Sequence, residues 1–237
     1  MFLLGSDYVF PRMTNEVIKT QLIADGGECV GEEYTALGHT DYSAIINRIK
    51  TIHPDVIINT LNGDSNIGFF RQFKSAGISA SEIPVMSFSI AEIEVQYIGA
   101  ESLYGHLTAW SYYETLDNTE NQKFISAYKK SYGNSRLIDD PMEAAYNAVY
   151  LWKAAVEKAN SFETPKVREA LAELTLNSPE GKIKIDGKTQ HTYRKLRIGK
   201  INGIGLIDTI ETTSLIPPDP FLKSYSWAKD IVYYSTR

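Results

Sequence analysis

Three stretches of this sequence place hydrogen-bonding and aromatic side chains directly after an apolar run: Gly5-Ser6-Asp7-Tyr8-Val9-Phe10-Pro11-Arg12, Asn62-Gly63-Asp64-Ser65-Asn66, and Ser87-Phe88-Ser89-Ile90-Ala91-Glu92. Asn, Asp and Ser offer both donors and acceptors, and Tyr8 and Phe10 add flat apolar faces. That mixture suits recognition of a small polar molecule, which needs a few placed polar groups between apolar walls. A purely structural reading stands beside it: Asp64 or Ser65 caps a helix, and Tyr8 and Phe10 pack a core.

Bond-making chemistry finds little support. The four histidines, His39, His53, His106 and His191, have no spacing that suggests a zinc site or a catalytic triad. Gly5-Ser6 lies outside any G-x-S-x-G elbow, and no glycine-rich phosphate loop occurs. Asp139-Asp140 and Glu92-Ile93-Glu94 pair carboxylates in sequence only, and no cofactor is implied. The single cysteine, Cys29, rules out an internal disulfide and a cysteine-rich metal site. A formal net charge of -5, with no basic cluster beyond Lys129-Lys130, argues against a nucleic-acid partner. No apolar run approaches the roughly 20 residues that cross a bilayer. Met1-Phe2-Leu3-Leu4-Gly5 lacks the basic segment and long apolar stretch of an export signal.

The elements that must hold these stretches alternate in kind. The spacing predicts a strand over 2–4, a helix over 14–24 carrying Val17, Ile18, Leu22 and Ile23, and a strand over 28–34. Asp41 can cap a helix bearing Ile45, Ile46 and Ile49, which His53-Pro54 ends. The continuous β-branched run 55–61 reads as a buried strand. A helix over 67–76 with Phe69, Phe70 and Phe73 follows, then strands over 84–88 and 107–110. This alternation implies βαβ units, a mainly parallel sheet, and three strand ends that meet on one edge, where ligands of open α/β sheets bind. Beyond it, 120–132 is amphipathic. Asp140-Pro141-Met142-Glu143 starts a helix with Asp140 as cap and a wide apolar face of Ala144, Ala145, Ala148, Val149, Leu151, Trp152 and Val156. Thr164-Pro165 starts another helix. After Gly181 a period of two predicts antiparallel ribbons over 182–186, 192–201 and 204–210. These later helices lack a sheet to cover, so burial implies that part of a domain is missing upstream.

The longer motifs carry a family resemblance. Gly5 to Arg12, Gly38-His39-Thr40-Asp41-Tyr42, Asn59-Thr60-Leu61-Asn62-Gly63-Asp64-Ser65-Asn66, Asp139-Asp140-Pro141-Met142-Glu143-Ala144-Ala145-Tyr146, and Pro179-Glu180-Gly181 with Asp186 and Thr189-Gln190-His191-Thr192 resemble the urea receptors of ABC transporters. The same frame is similar to bacterial amide-binding regulators and to branched-chain amino-acid receptors. The likeness runs from Phe2 to about Pro220. It implies an α/β fold of the periplasmic-binding-protein type I kind, with two Rossmann-like lobes whose parallel sheets are joined by a three-strand hinge. On that frame 1–109 is the second lobe, 110–176 a hinge crossing with helices completing the first lobe, and 177–237 the last crossing, antiparallel ribbons and tail. The N-terminal half of the first lobe is missing.

The resemblance further implies the substrate-binding component of an ABC transporter, not an enzyme. It would hold urea or a short-chain amide between the lobes and deliver it to the permease, in the periplasm or anchored outside the membrane in its full-length form. A cytoplasmic amide-sensing regulator is the alternative. An enzyme acting on urea or amides would need a metal cluster or an activated nucleophile. By position, Tyr8 lines the pocket. Phe10 stands where relatives carry Tyr, so one hydroxyl is lost. Ser89 occupies the place where amino-acid receptors put an acid to hold the ammonium, and serine suits a neutral ligand. Asn62, Asp64 and Glu92 complete the expected ligand-binding set.

Overall fold

The computed structural model describes residues 1–228, so the end of the expected tail, 229–237, lies outside the described residues. Five short strands pair in parallel: β1 (Phe2–Ser6), β2 (Gly31–Thr35), β3 (Ile57–Thr60), β4 (Val85–Ser87) and β5 (Leu107–Trp110). The helices between them are α1 (Val9–Ala24), α2 (Ser43–Ile52), α3 (Ser65–Ser75), α4 (Glu92–Ile98) and α5 (Ala100–Leu103). Then come α6 (Thr119–Tyr132), α7 (Asp140–Ala159), α8 (Thr164–Leu171), β6 (Thr175–Ser178), β7 (Gly181–Ile185), β8 (Thr192–Tyr193), β9 (Arg197–Ile201) and β10 (Ile207–Thr212). The large sheet has the order β10-β9-β5-β4-β3-β1-β2, with β9 and β10 antiparallel, and β6-β7-β8 form a separate antiparallel sheet.

Burial explains the large sheet. Every residue of β1 and β3 is buried, as a strand covered on both faces requires. Phe69, Phe70 and Phe73 project from α3 into one core with Ile46 and Ile49 of α2 and with Phe2, Leu4, Ile57 and Val85 of the sheet. Gly5 is needed where β1 meets its neighbours: a Cβ there would lie 2.6 Å from Thr60 Oγ1 and 2.9 Å from Pro11 Cβ.

Several expectations shift. Helix α1 starts at Val9, so Val9 to Arg12 form its first turn and not a loop. Pro11 is tolerated there because a first-turn residue has no intrahelical acceptor for an N–H. The cap of α7 is Asp139, whose side chain accepts from Met142 N–H at 3.1 Å, and Asp140 is inside the helix. The ribbon over 192–201 breaks into β8 and β9, which join different sheets. The later helices do have a partner: Leu151 of α7 packs with Ile183 and Ile185 of the small sheet. One stripe of α7, Ala145, Ala148, Val149 and Trp152, stays exposed.

Candidate functional site

Strands β4, β3 and β1 are neighbours, and their parallel pairing puts their carboxyl ends on one edge. At the usual spacing of about 4.8 Å, the carboxyl ends of three adjacent strands lie within about 10 Å of one another. Tyr8 leaves β1, Asn62 and Asp64 leave β3, and Ser89 leaves β4. Hydrogen bonds stitch these ends together. Asn62 N–H donates to Ser6 Oγ at 3.0 Å, and Ser89 Oγ donates to Leu61 carbonyl oxygen. Beneath them lies a buried amide and hydroxyl network. Asn59 Nδ2 donates to Asn66 Oδ1 at 2.8 Å and to Ser87 Oγ at 3.0 Å, while Asn66 Nδ2 donates to Leu61 carbonyl at 3.0 Å and to Ser89 Oγ at 3.3 Å. At the next strand, Trp110 Nε1 donates to Ile90 carbonyl at 2.8 Å.

This edge offers a defined set of free groups. Asn62 donates its own Nδ2 to Thr60 carbonyl at 3.0 Å, which leaves its Oδ1 as an acceptor. The Ser89 hydroxyl is engaged twice and keeps one lone pair. The Asp64 carboxylate is exposed and has no partner among the described residues. Val9 and Phe10 N–H, in the first turn of α1, have no partner among the described residues, and the Tyr8 cap makes no side-chain bond to that turn. Tyr8 is half-buried and Phe10 is 42% exposed, with ring centroids 6.3 Å apart. Arg12 is not free: its guanidinium lies 2.6 Å from Asp7 Oδ1 and over the Tyr34 ring at 4.3 Å. The hydrogen bond from Arg12 holds the Asp7 carboxyl below its ordinary range.

Glu92 is placed differently from expectation. Its side chain is fully buried, and Oε1 accepts from Glu114 N–H at 2.6 Å while Oε2 has no partner. The cause is its place at the first turn of α4, which turns it into the interior under the segment leaving β5. Burial pushes its pKa up to about 8.

A second polar cluster, whose Asp140, Glu143 and Glu180 lie in motifs of the sequence but whose Arg194 and Arg197 do not, gathers where the chain leaves β5 and returns to β9. Asp140 Oδ2 accepts from Ser111 N–H at 3.1 Å, Tyr112 N–H at 2.9 Å and Arg194 Nη2 at 3.0 Å. Arg194 Nε reaches both oxygens of Glu180, at 2.8 and 3.0 Å, and its Nη2 lies 3.5 Å from Glu143 Oε2. Arg197 donates to Glu180 carbonyl at 2.7 Å and to Ser111 carbonyl. Burial, with Glu180 beside it, raises Glu143 to about 7. Among the described residues no group of His, Cys, Asp and Glu could hold a metal ion, and no helix is long and apolar enough to cross a membrane.

Comparison with known proteins adds family information. Residues 1–226 match a family model described as periplasmic binding protein domain. A Leu/Ile/Val-binding protein homolog 6 of Brucella melitensis biotype 1 is 25% identical over 200 residues, covering 83% of this chain and 51% of that protein. An amino acid ABC transporter substrate-binding protein from Pseudomonas fluorescens Pf-5 superposes with TM-score 0.82 at 20% identity, over 91% of this chain and 59% of the other. A solute binding protein of an ABC transporter from Rhodopseudomonas palustris HaA2, in complex with p-hydroxybenzoic acid, gives TM-score 0.81 at 26% identity, over 91% of this chain and 60% of the other. The chain therefore spans about half the length of that curated relative.

Proposed function

Because this chain belongs to the periplasmic binding protein domain family, a family of binding proteins and not of enzymes, we propose that it supplies one lobe and the hinge of a solute receptor for an ABC transporter. The receptor works outside the cytoplasmic membrane, binds urea or a short-chain amide, and hands it to a permease. Residues 1–109 form the ligand-facing lobe, and the Asp140–Arg194 cluster sits at the crossings.

One observation carries the ligand class. Among the described residues of the loops after β1, β3 and β4 and of the first turn of α1, Arg12 is the sole basic side chain, and it is paired with Asp7. What remains free are the Val9 and Phe10 N–H groups, which suit a carbonyl oxygen, and the Asn62, Ser89 and Asp64 oxygens, which suit amide N–H groups. Tyr8 and Phe10 flank a planar guest. A benzoate, as named for the R. palustris protein, would lack a cationic partner here. The free α1 N–H groups together with Asp64 also fit the carboxylate and ammonium of an amino acid, and this is the second reading.

Affinity arithmetic demands closure. Urea has four non-hydrogen atoms, and a ceiling of about 1.5 kcal/mol per atom gives roughly 6 kcal/mol, or tens of micromolar. Only near-complete enclosure approaches that ceiling, so a second body must shut over the edge. Calorimetry of the two-lobed receptor with urea, acetamide, leucine and p-hydroxybenzoate tests the reading. Saturable heat with urea or acetamide is expected; saturation by leucine or p-hydroxybenzoate alone would refute it.

A further inference from the structure

We propose that the opposite edge of the large sheet carries a second binding site, for a small oxyanion of phosphate size, in a cavity walled by His106, Lys74, Lys200, Ser102 and Tyr104. The cavity has a volume of about 290 Å³. It lies at the amino ends of β4 and β5, because His106 precedes β5 and Lys200 of antiparallel β9 stands opposite Leu107. The three residues of β4 and the four of β5, at about 3.3 Å per residue, separate it from the Tyr8–Asn62–Ser89 edge by about 10–13 Å. It does not rest on the ligand reading above.

The donor-bearing residues line one cavity. His106 is 3% exposed, and its Nδ1 accepts from Val85 N–H at 3.1 Å. A neutral imidazole that accepts at Nδ1 carries its proton on Nε2. That N–H has no partner among the described residues. Burial lowers the His106 pKa to about 4, with Lys74 adding to the effect, so the ring stays a neutral donor at pH 7. Phe70 and Phe73 hold the ring, with centroids at 5.6 and 5.9 Å. Neither the Lys74 nor the Lys200 ammonium has an ion-pair or hydrogen-bond partner among the described residues. The Ser79 and Ser81 hydroxyls, 2.8 Å apart, stand on the same wall. The one carboxylate on the cavity is Glu101, exposed and folded against Gly99. Two ammonium groups, hydroxyls and a fixed imidazole N–H against one carboxylate favour an anion rich in acceptor oxygens.

The test is a titration of the protein with inorganic phosphate at pH 7, with potassium chloride adjusted to hold ionic strength constant. Sulfate and acetate run in parallel, and binding is followed by calorimetry and by the His106 ring nitrogens in NMR. Saturable phosphate binding that moves the Nε2 signal is expected. Lys74→Met and Lys200→Met should each weaken it about tenfold or more. Both lysines are exposed, so the variants should keep the amide spectrum elsewhere, and Glu101→Gln should tighten binding. A linear response matched by chloride would overturn the proposal. So would saturation unmoved by both lysine variants, or saturation by acetate with none by phosphate or sulfate.

Discussion

Replacing Glu92 by Gln should change how stability depends on pH far more than it changes stability in acid. Glu92 is sealed in the core, accepts one backbone N–H from Glu114 and touches no basic group. Burial raises its pKa from 4.5 to about 8. In the folded chain the carboxyl therefore keeps its proton up to about pH 8, while in the unfolded chain it loses it above about 4.5. Between those values the folded state binds more protons, so stability falls as pH rises. At about 1.4 kcal/mol per unit, the whole window holds about 5 kcal/mol, an upper figure for one buried acid. Glutamine cannot titrate and mimics the protonated acid. Wild type and variant should thus be nearly equal at pH 5, and the variant should gain by several kcal/mol toward pH 8. Guanidinium chloride unfolding at pH 5, 6, 7 and 8 measures this; urea is unsuitable because it is the proposed ligand. Glu143 shifts in the same direction but is present in both proteins, so the difference isolates Glu92. A wild-type-to-variant difference constant to within about 0.5 kcal/mol across the series would refute the reasoning.

Arg194→Met leaves Asp140, Glu143 and Glu180 buried without their shared cation, and should destabilise the protein by about 3 kcal/mol or more in the same assay at pH 8. Asn59→Ala removes the clamp on Asn66 and Ser87, with an expected loss of about 2 kcal/mol and earlier amide exchange at Leu61. Gly5→Ala drives a methyl into Thr60 Oγ1 and Pro11, which should cost about 1–3 kcal/mol in the unfolding midpoint. Tyr8→Ala in the two-lobed receptor should weaken urea or amide binding about tenfold or more by calorimetry, and wild-type affinity would remove Tyr8 from the site.

Strands β1 to β5 and helices α1 to α3 are legible because the strand runs are largely buried and the helical stripes are regular, whereas α4 and α5, at seven and four residues, are too short to show a stripe in the sequence. The first turn of α1 is not legible, since Val9 and Phe10 lie exposed outside the periodic stripe and a proline there looks like a break. The converging edge is legible from Tyr8, Asn62 and Ser89, each directly after an apolar run. What holds it is not: Asn59 sits within a strand reading and Asn66 at a helix start, and only folding makes them clamp each other. Glu92 fails for the same reason, because its position after a strand says nothing of which way the turn of α4 points it. Arg194 meets Asp140 across 54 residues and Glu180 across 14, and no local spacing encodes such contacts.

The two polar clusters differ in kind, and the difference fits their places. Under the open edge the network is all amides and hydroxyls. It ties three strand ends together yet adds no net charge beside the proposed site for a neutral guest. An ion cluster there would bias the edge toward charged ligands, because charges act over longer distances in a poorly hydrated interior. Between β5 and β9 the need is different: segments distant in sequence must be held in register, and the planar Arg194 fork does this by gripping Glu180 through both oxygens while reaching Asp140. Three carboxylates, Asp140, Glu143 and Glu180, face two guanidiniums, Arg194 and Arg197, which would leave one uncompensated negative charge. The raised pKa of Glu143, about 7, lets that site take up a proton near neutrality and bring the cluster to balance. Because its folded-state pKa lies above the ordinary 4.5, the stability the Glu143 site contributes is largest in acid and is lost as pH rises from about 4.5 through about 7, while the amide and hydroxyl network under the open edge contains no titrating group.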